Sequence, residues 1–118
     1  MTAAARPDPV LKADLSGLTA LVTGASSGFG RSFAATLAAL GAEVIVAARR
    51  RAPLDELVGE IAAWGGKARA VTMDVADAES VTAAFAEIDR VDIVVNNAGV
   101  SGPAHALETG LSPAWSLV

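Results

Sequence analysis

The chain has 118 residues, 53% of them apolar and 19% charged, with a net charge of −4 at pH 7. That length suits one domain of ordinary size. With no Cys, no Tyr and a single His, these residues offer no disulfide, thiol nucleophile, Cys-ligated or multi-His metal site, or phenol; the acidic balance lacks the basic footprint of a nucleic-acid binder.

The first fourteen residues, with Pro7 and Pro9 among small and charged side chains, read as a flexible leader. They contain no apolar block of the kind a secretory signal needs. The longest uncharged stretch, Leu15 to Gly30, is interrupted by Gly and Ser and does not read as a membrane span. A cytoplasmic location is the expectation, and the missing cysteines are compatible with it.

From Leu15 the hydrophobic period switches regularly. Leu18 to Thr23 is an apolar run ended by Gly24 and reads as a buried strand. Residues 28–40 read as a helix, with Phe33, Leu37 and Leu40 as its inward face and Gly41 at the left-handed position that ends it. Val44 to Ala48 reads as a second strand. Pro53 marks the first turn of a second helix, whose buried stripe is Leu54, Leu57, Val58 and Ile61; Gly65 and Gly66 stop it. Ala68 to Met73 reads as a third strand. Asp77 caps a third helix with Val81, Phe85 and Ile88 inward, and Val91 to Val95 reads as a fourth strand. Ser112-Pro113 has the form of a further helix start. Strands joined by crossovers of this length are parallel, with right-handed connections. The fold class is therefore α/β, a Rossmann-like doubly wound parallel sheet, read here as truncated after the fourth strand.

Between the first strand and first helix lies Thr23-Gly24-Ala25-Ser26-Ser27-Gly28-Phe29-Gly30. Such a loop, at the carboxyl end of a strand in an open sheet, presents backbone N–H groups and the positive helix end to an anion. Gly24 permits a tight turn, Gly28 a close approach of backbone to phosphate, and Gly30 close contact between helix and strand. The Walker spacing with its Lys is absent. A Gly/Ser connector without a ligand is the bland alternative.

Here the sequence resembles the classical short-chain dehydrogenase/reductase family. The pattern T-G-x-x-x-G-x-G is matched by residues 23–30, N-N-A-G by Asn96 to Gly99, and the Asp-Val pair after the third strand by Asp74-Val75. The resemblance covers roughly residues 15–118. It implies a sheet order beginning 3-2-1-4. It also implies that Gly24, Ser26, Ser27, Gly28, Phe29 and Gly30 surround a dinucleotide's pyrophosphate and ribose, that Asp74 accepts from the adenine amino group, and that Val75 flanks the ring. Asn97, Ala98 and Gly99 would pass beside the nicotinamide ribose, while Asn96 ties neighbouring strands. Asp74, Asn96 and Asn97 are also ordinary turn residues. The family's members commonly assemble as homodimers or homotetramers and act on small carbonyl or alcohol substrates.

The end of the second strand bears on cofactor choice. An NAD enzyme places an acidic residue there for the ribose 2′-hydroxyl, whereas this chain has Ala48 followed by Arg49, Arg50 and Arg51. A guanidinium pairs with a 2′-phosphate, so NADP(H) is preferred over NAD(H), with Arg49 as the main contact and Arg50 as helper; a solvated basic cluster is the alternative. The family's Ser and Y-x-x-x-K catalytic set has no counterpart: there is no Tyr, and the two lysines are Lys12 and Lys67. His105 is the one other group that titrates near neutrality, in a loop where exposure without a role is the commoner case. The reading is the cofactor-binding half of an NADP(H)-dependent oxidoreductase that carries no catalytic residue itself; the alternative is a non-catalytic nucleotide-binding fragment or gene remnant.

Overall fold

The computed structural model describes residues 6–7, 13–26 and 28–97. Ser27, Ala98, Gly99 and His105, singled out in the sequence, lie outside the described residues, as does the helix start at Ser112-Pro113. The elements are β1 (Thr19–Thr23), α1 (Gly28–Ala39), β2 (Glu43–Ala48), α2 (Arg51–Ala63), β3 (Lys67–Thr72), α3 (Ala78–Ala86) and β4 (Ile93–Asn96). All neighbouring strands run parallel, in the order β3-β2-β1-β4, as the resemblance implied. Every carboxyl end therefore lies at one edge of the sheet. The order reverses between β1 and β4, the place where open α/β sheets form a crevice.

Alternate residues of the central strands feed two cores. Ala20, Val22, Val44 and Val46 pack with Ala34, Ala38, Leu54, Leu57 and Ile61 of α1 and α2. Leu21, Ile45, Ala47 and Val71 pack with Met73 and with Val81 and Ala84 of α3. Helices thus cover both faces, which is why β1 and β2 are apolar almost throughout instead of alternating. Asp77 accepts from Glu79 N–H at 3.0 Å and caps α3. Gly41 ends α1 with φ 106°. Pro53 sits at the third position of α2, which opens at Arg51; its missing N–H still falls among those with no partner inside the helix.

Two expectations need correction. The fully buried face of α1 is Gly30, Ala34, Ala38 and Ala39 rather than Phe33, Leu37 and Leu40; Leu37 packs partly buried on the core, while Phe33 is 45% exposed. Small residues at every fourth position let α1 lie close to the sheet, where large side chains would hold it off. The fourth strand also begins two residues later than expected, because Asp92 stops the ladder. Asp92 donates its N–H to Thr19 O at 2.8 Å, and its Oδ2 accepts the Thr19 N–H at 2.8 Å. A carboxylate thus replaces a ladder carbonyl and fixes β4 against β1.

The Thr19 N–H holds the Asp92 carboxyl below its ordinary value; partial desolvation opposes this, and the Arg90 guanidinium adds to it. A depressed folded pKa contributes stability above the unfolded value near 3.8 that is lost as pH falls through the folded value. Thermal unfolding of the protein and of Asp92→Asn should accordingly differ at neutral pH and converge as pH falls below that value. A gap that stays constant through the acid range would contradict this account of Asp92.

Candidate dinucleotide site

The carboxyl edge of the sheet gathers the residues that the sequence motifs single out. Gly24 and Gly28 take left-handed φ values of 64° and 61°, turning the chain sharply from β1 into α1. Between them Ala25 is fully buried, and its N–H donates to Ala47 O of β2 at 3.1 Å. Ser26 is partly buried beside it. The loop is thereby tied to two strands before α1 begins.

Gly30 is the point of closest approach. A Cβ there would press into the Gly24 carbonyl oxygen and would stand 2.7 Å from Gly24 C and 2.8 Å from Asn97 Nδ2. A backbone carbonyl cannot swing aside as a side-chain tip can, so only glycine brings the first turn of α1 this near the ends of β1 and β4. Gly28 is the opposite case: nothing stands within 4 Å of where its Cβ would be. The first N–H groups of α1 have no partner within the helix, no acidic residue occupies its first turn, and its dipole favours a negative charge there. Open space beside Gly28 and helix N–H groups without partners in the helix are what a pyrophosphate site requires.

Thr23, only 1% exposed, joins this loop to β4. Its Oγ1 donates to Asn96 Oδ1 at 3.0 Å and accepts the Asn97 N–H at 3.0 Å. The motif alone does not give Thr23 this role; its signal is a hydroxyl following the apolar Ala20-Leu21-Val22 at the buried end of the strand, where burial demands a partner.

At the far side of the edge, Asp74 donates its N–H to Ser80 Oγ at 2.9 Å and accepts the Ala76 N–H on Oδ1 at 3.0 Å. This turn fixes the carboxylate, while its Oδ2 meets no donor among the described residues. Val75 packs partly on the core beneath α3. Phe29 is 78% exposed beside Phe33, with ring centroids 6.5 Å apart. Of the three arginines after β2, Arg51 pairs with Asp55 at 3.0 Å. Arg49 and Arg50 are exposed and make no ion pair among the described residues. Two guanidiniums without an ionic partner among the described residues thus stand at the end of β2, and Ala48 before them carries no charge. Among the described residues no group of acidic, His or Cys side chains could hold a metal ion, and no helix is long and apolar enough to cross a membrane.

The profile of the short chain dehydrogenase family matches residues 18–116. The chain belongs to that family. Among its relatives is a short chain dehydrogenase of Pseudocercospora fijiensis, 44% identical over 91 residues, covering 74% of this chain and 29% of that protein. Among solved structures, a hydroxysteroid dehydrogenase from Escherichia coli matches with 37% identity and a TM-score of 0.69, over 76% of this chain and 40% of the other. A metagenomic short-chain oxidoreductase in complex with NADP matches with 39% identity and a TM-score of 0.66, over 85% of this chain and 47% of the other. The chain spans 10% to 39% of the length of eight curated relatives that it matches.

Gly30→Ala should displace α1 from the Gly24 carbonyl and cost about 1–3 kcal/mol, the usual range for overpacking. Denaturant unfolding measures it. An unchanged midpoint would show that α1 can lift away without loss.

Proposed function

We propose that these residues form the dinucleotide-binding part of an NADP(H)-dependent short-chain dehydrogenase/reductase. Its reaction would move a hydride between the nicotinamide and a carbonyl or alcohol carbon of a small molecule. The observation that carries this reading is the pairing, at one sheet edge, of the open α1 start at Gly28 with Arg49 and Arg50, which have no ionic partner among the described residues. An NAD site would want a carboxylate after β2; a 2′-phosphate wants a cation and no carboxylate. The NADP complex of the metagenomic relative supports the same choice.

In this reading Gly24, Ser26, Ser27, Gly28, Phe29 and Gly30 hold the pyrophosphate and ribose, with the α1 dipole opposing their charge. Arg49 takes the 2′-phosphate and Arg50 assists. Asp74 Oδ2 accepts from the adenine amino group and Val75 flanks the ring. Asn97, Ala98 and Gly99 line the nicotinamide ribose, with Asn97 set by Thr23. When bound, the nicotinamide supplies or takes the hydride; the residues named here bind and orient it. No residue of this chain is assigned the proton transfer, since none is a Tyr. A cytoplasmic setting agrees with a chain without cysteine, and homodimeric or homotetrameric assembly extends the family resemblance. The second reading, a nucleotide-binding module without catalysis, draws on the same lack of tyrosine.

Arg49→Ala should weaken NADPH binding more than NADH binding. One charge-assisted phosphate contact is worth roughly 1.5–3 kcal/mol, or about 10–100-fold in affinity. A fluorescence titration in which both cofactors lose equally would overturn the NADP(H) assignment. Turnover is a separate matter. With NADPH and a panel of aldehydes and ketones, the 118-residue chain should show no protein-dependent oxidation, because a positioned proton donor typically contributes 10²–10⁴-fold. Steady turnover that survives repurification would place catalysis within these residues.

A further inference from the structure

We propose that the segment carrying Arg6 and Pro7 is a docking arm, seated along the outer groove between α1 and α2 and capping the carboxyl end of α1. The terminal carbonyls of a helix have no partner within it, and α1 has no basic residue in its last turn to meet them. The N-terminal stretch supplies two donors instead. Arg6 Nη2 donates to Ala39 O at 2.7 Å, and Leu15 N–H donates to Leu40 O at 2.8 Å. Arg6 also sets a cation at the negative end of the α1 dipole, where charge is favoured.

Pro7 continues this contact as one wall of the groove, a cavity of about 300 Å³. Its walls include Ala35 of α1 and Leu57, Ile61 and Trp64 next to or within α2. Leu57 and Ile61 are 2% and 1% exposed, so the groove floor is continuous with the core beneath. The Arg31–Glu60 ion pair crosses from α1 to α2 within it. Proline suits such a seat because it has no N–H to leave unpaired against an apolar wall. A tethered arm also docks at an effective concentration in the millimolar range, so a modest contact suffices. The groove reaches Gly28 at the other end of α1, so the arm bears on the helix that frames the candidate site. The proposal does not depend on which dinucleotide that site takes.

Trp64 reports on the groove. In a Trp115→Phe background it is the one remaining tryptophan. Deleting residues 1–7 should red-shift its emission and raise its acrylamide quenching constant, and a synthetic peptide of residues 1–12 at millimolar concentration should reverse both. In the intact chain Arg6→Ala should move both signals the same way, by enlarging the undocked population up to about tenfold, and Arg6→Lys should restore part of the loss. This second arm holds even where the deletion fails to fold. Equal quenching in the intact chain and in Arg6→Ala would overturn the proposal. Protection of Trp64 that grows with protein concentration would also overturn it, by assigning the groove to a second copy of the chain.

Discussion

Helix α1 begins almost in contact with the end of β1, and that close approach sets the rest of the site. The Gly24 carbonyl, Gly30 and the Asn97 amide meet within a space that admits no extra carbon. Because α1 starts there, its free N–H groups open onto the crevice between β1 and β4. Because Gly, Ala and Ala follow at every fourth position along its inner face, the helix can stay low over the sheet along its length. The packing that stabilises the fold and the geometry that would receive an anion thus rest on the same run of small residues.

The parallel sheet extends this constraint to distant parts of the chain. Parallel strands deliver all their carboxyl ends to one edge, so residues far apart in sequence share a site without any further device. Thr23 links β1 to Asn96 and Asn97 across the strand pair. At the opposite edge Asp92 performs the matching task, clasping Thr19 through both its backbone and its carboxylate. The β1–β4 pairing is therefore pinned at both ends, which holds the two halves of the crevice in fixed register.

Much of this was legible in the sequence because it rests on patterns that local physics enforces. Apolar runs separated by helical lengths imply a parallel sheet, and glycines between strand and helix imply a tight turn toward an anion. The strand order came from the family resemblance, and the structure has it. The inner face of α1 was misread because periodicity weighs side chains by hydrophobicity, whereas Phe33 lost to Ala34 on packing distance, a tertiary quantity. The start of β4 was misread for a related reason: Asp92 looks like one charge in a strand until its bond to Thr19, far away in sequence, is seen. Thr23 carries a legible signal as the hydroxyl that follows Ala20-Leu21-Val22, but its partners come from another strand and no local pattern names them.

The central claim is that the carboxyl edge of the sheet is one continuous dinucleotide site. Amide chemical-shift mapping on titration with NADPH tests it most directly. The account predicts that Gly24, Gly28, Gly30, Arg49, Asp74 and Asn97 shift together with a single dissociation constant, while Leu18, Gly66 and Asp92 at the opposite edge stay in place. Shifts confined to the opposite edge, or no saturable shifts at any of those six positions in a folded chain, would contradict it.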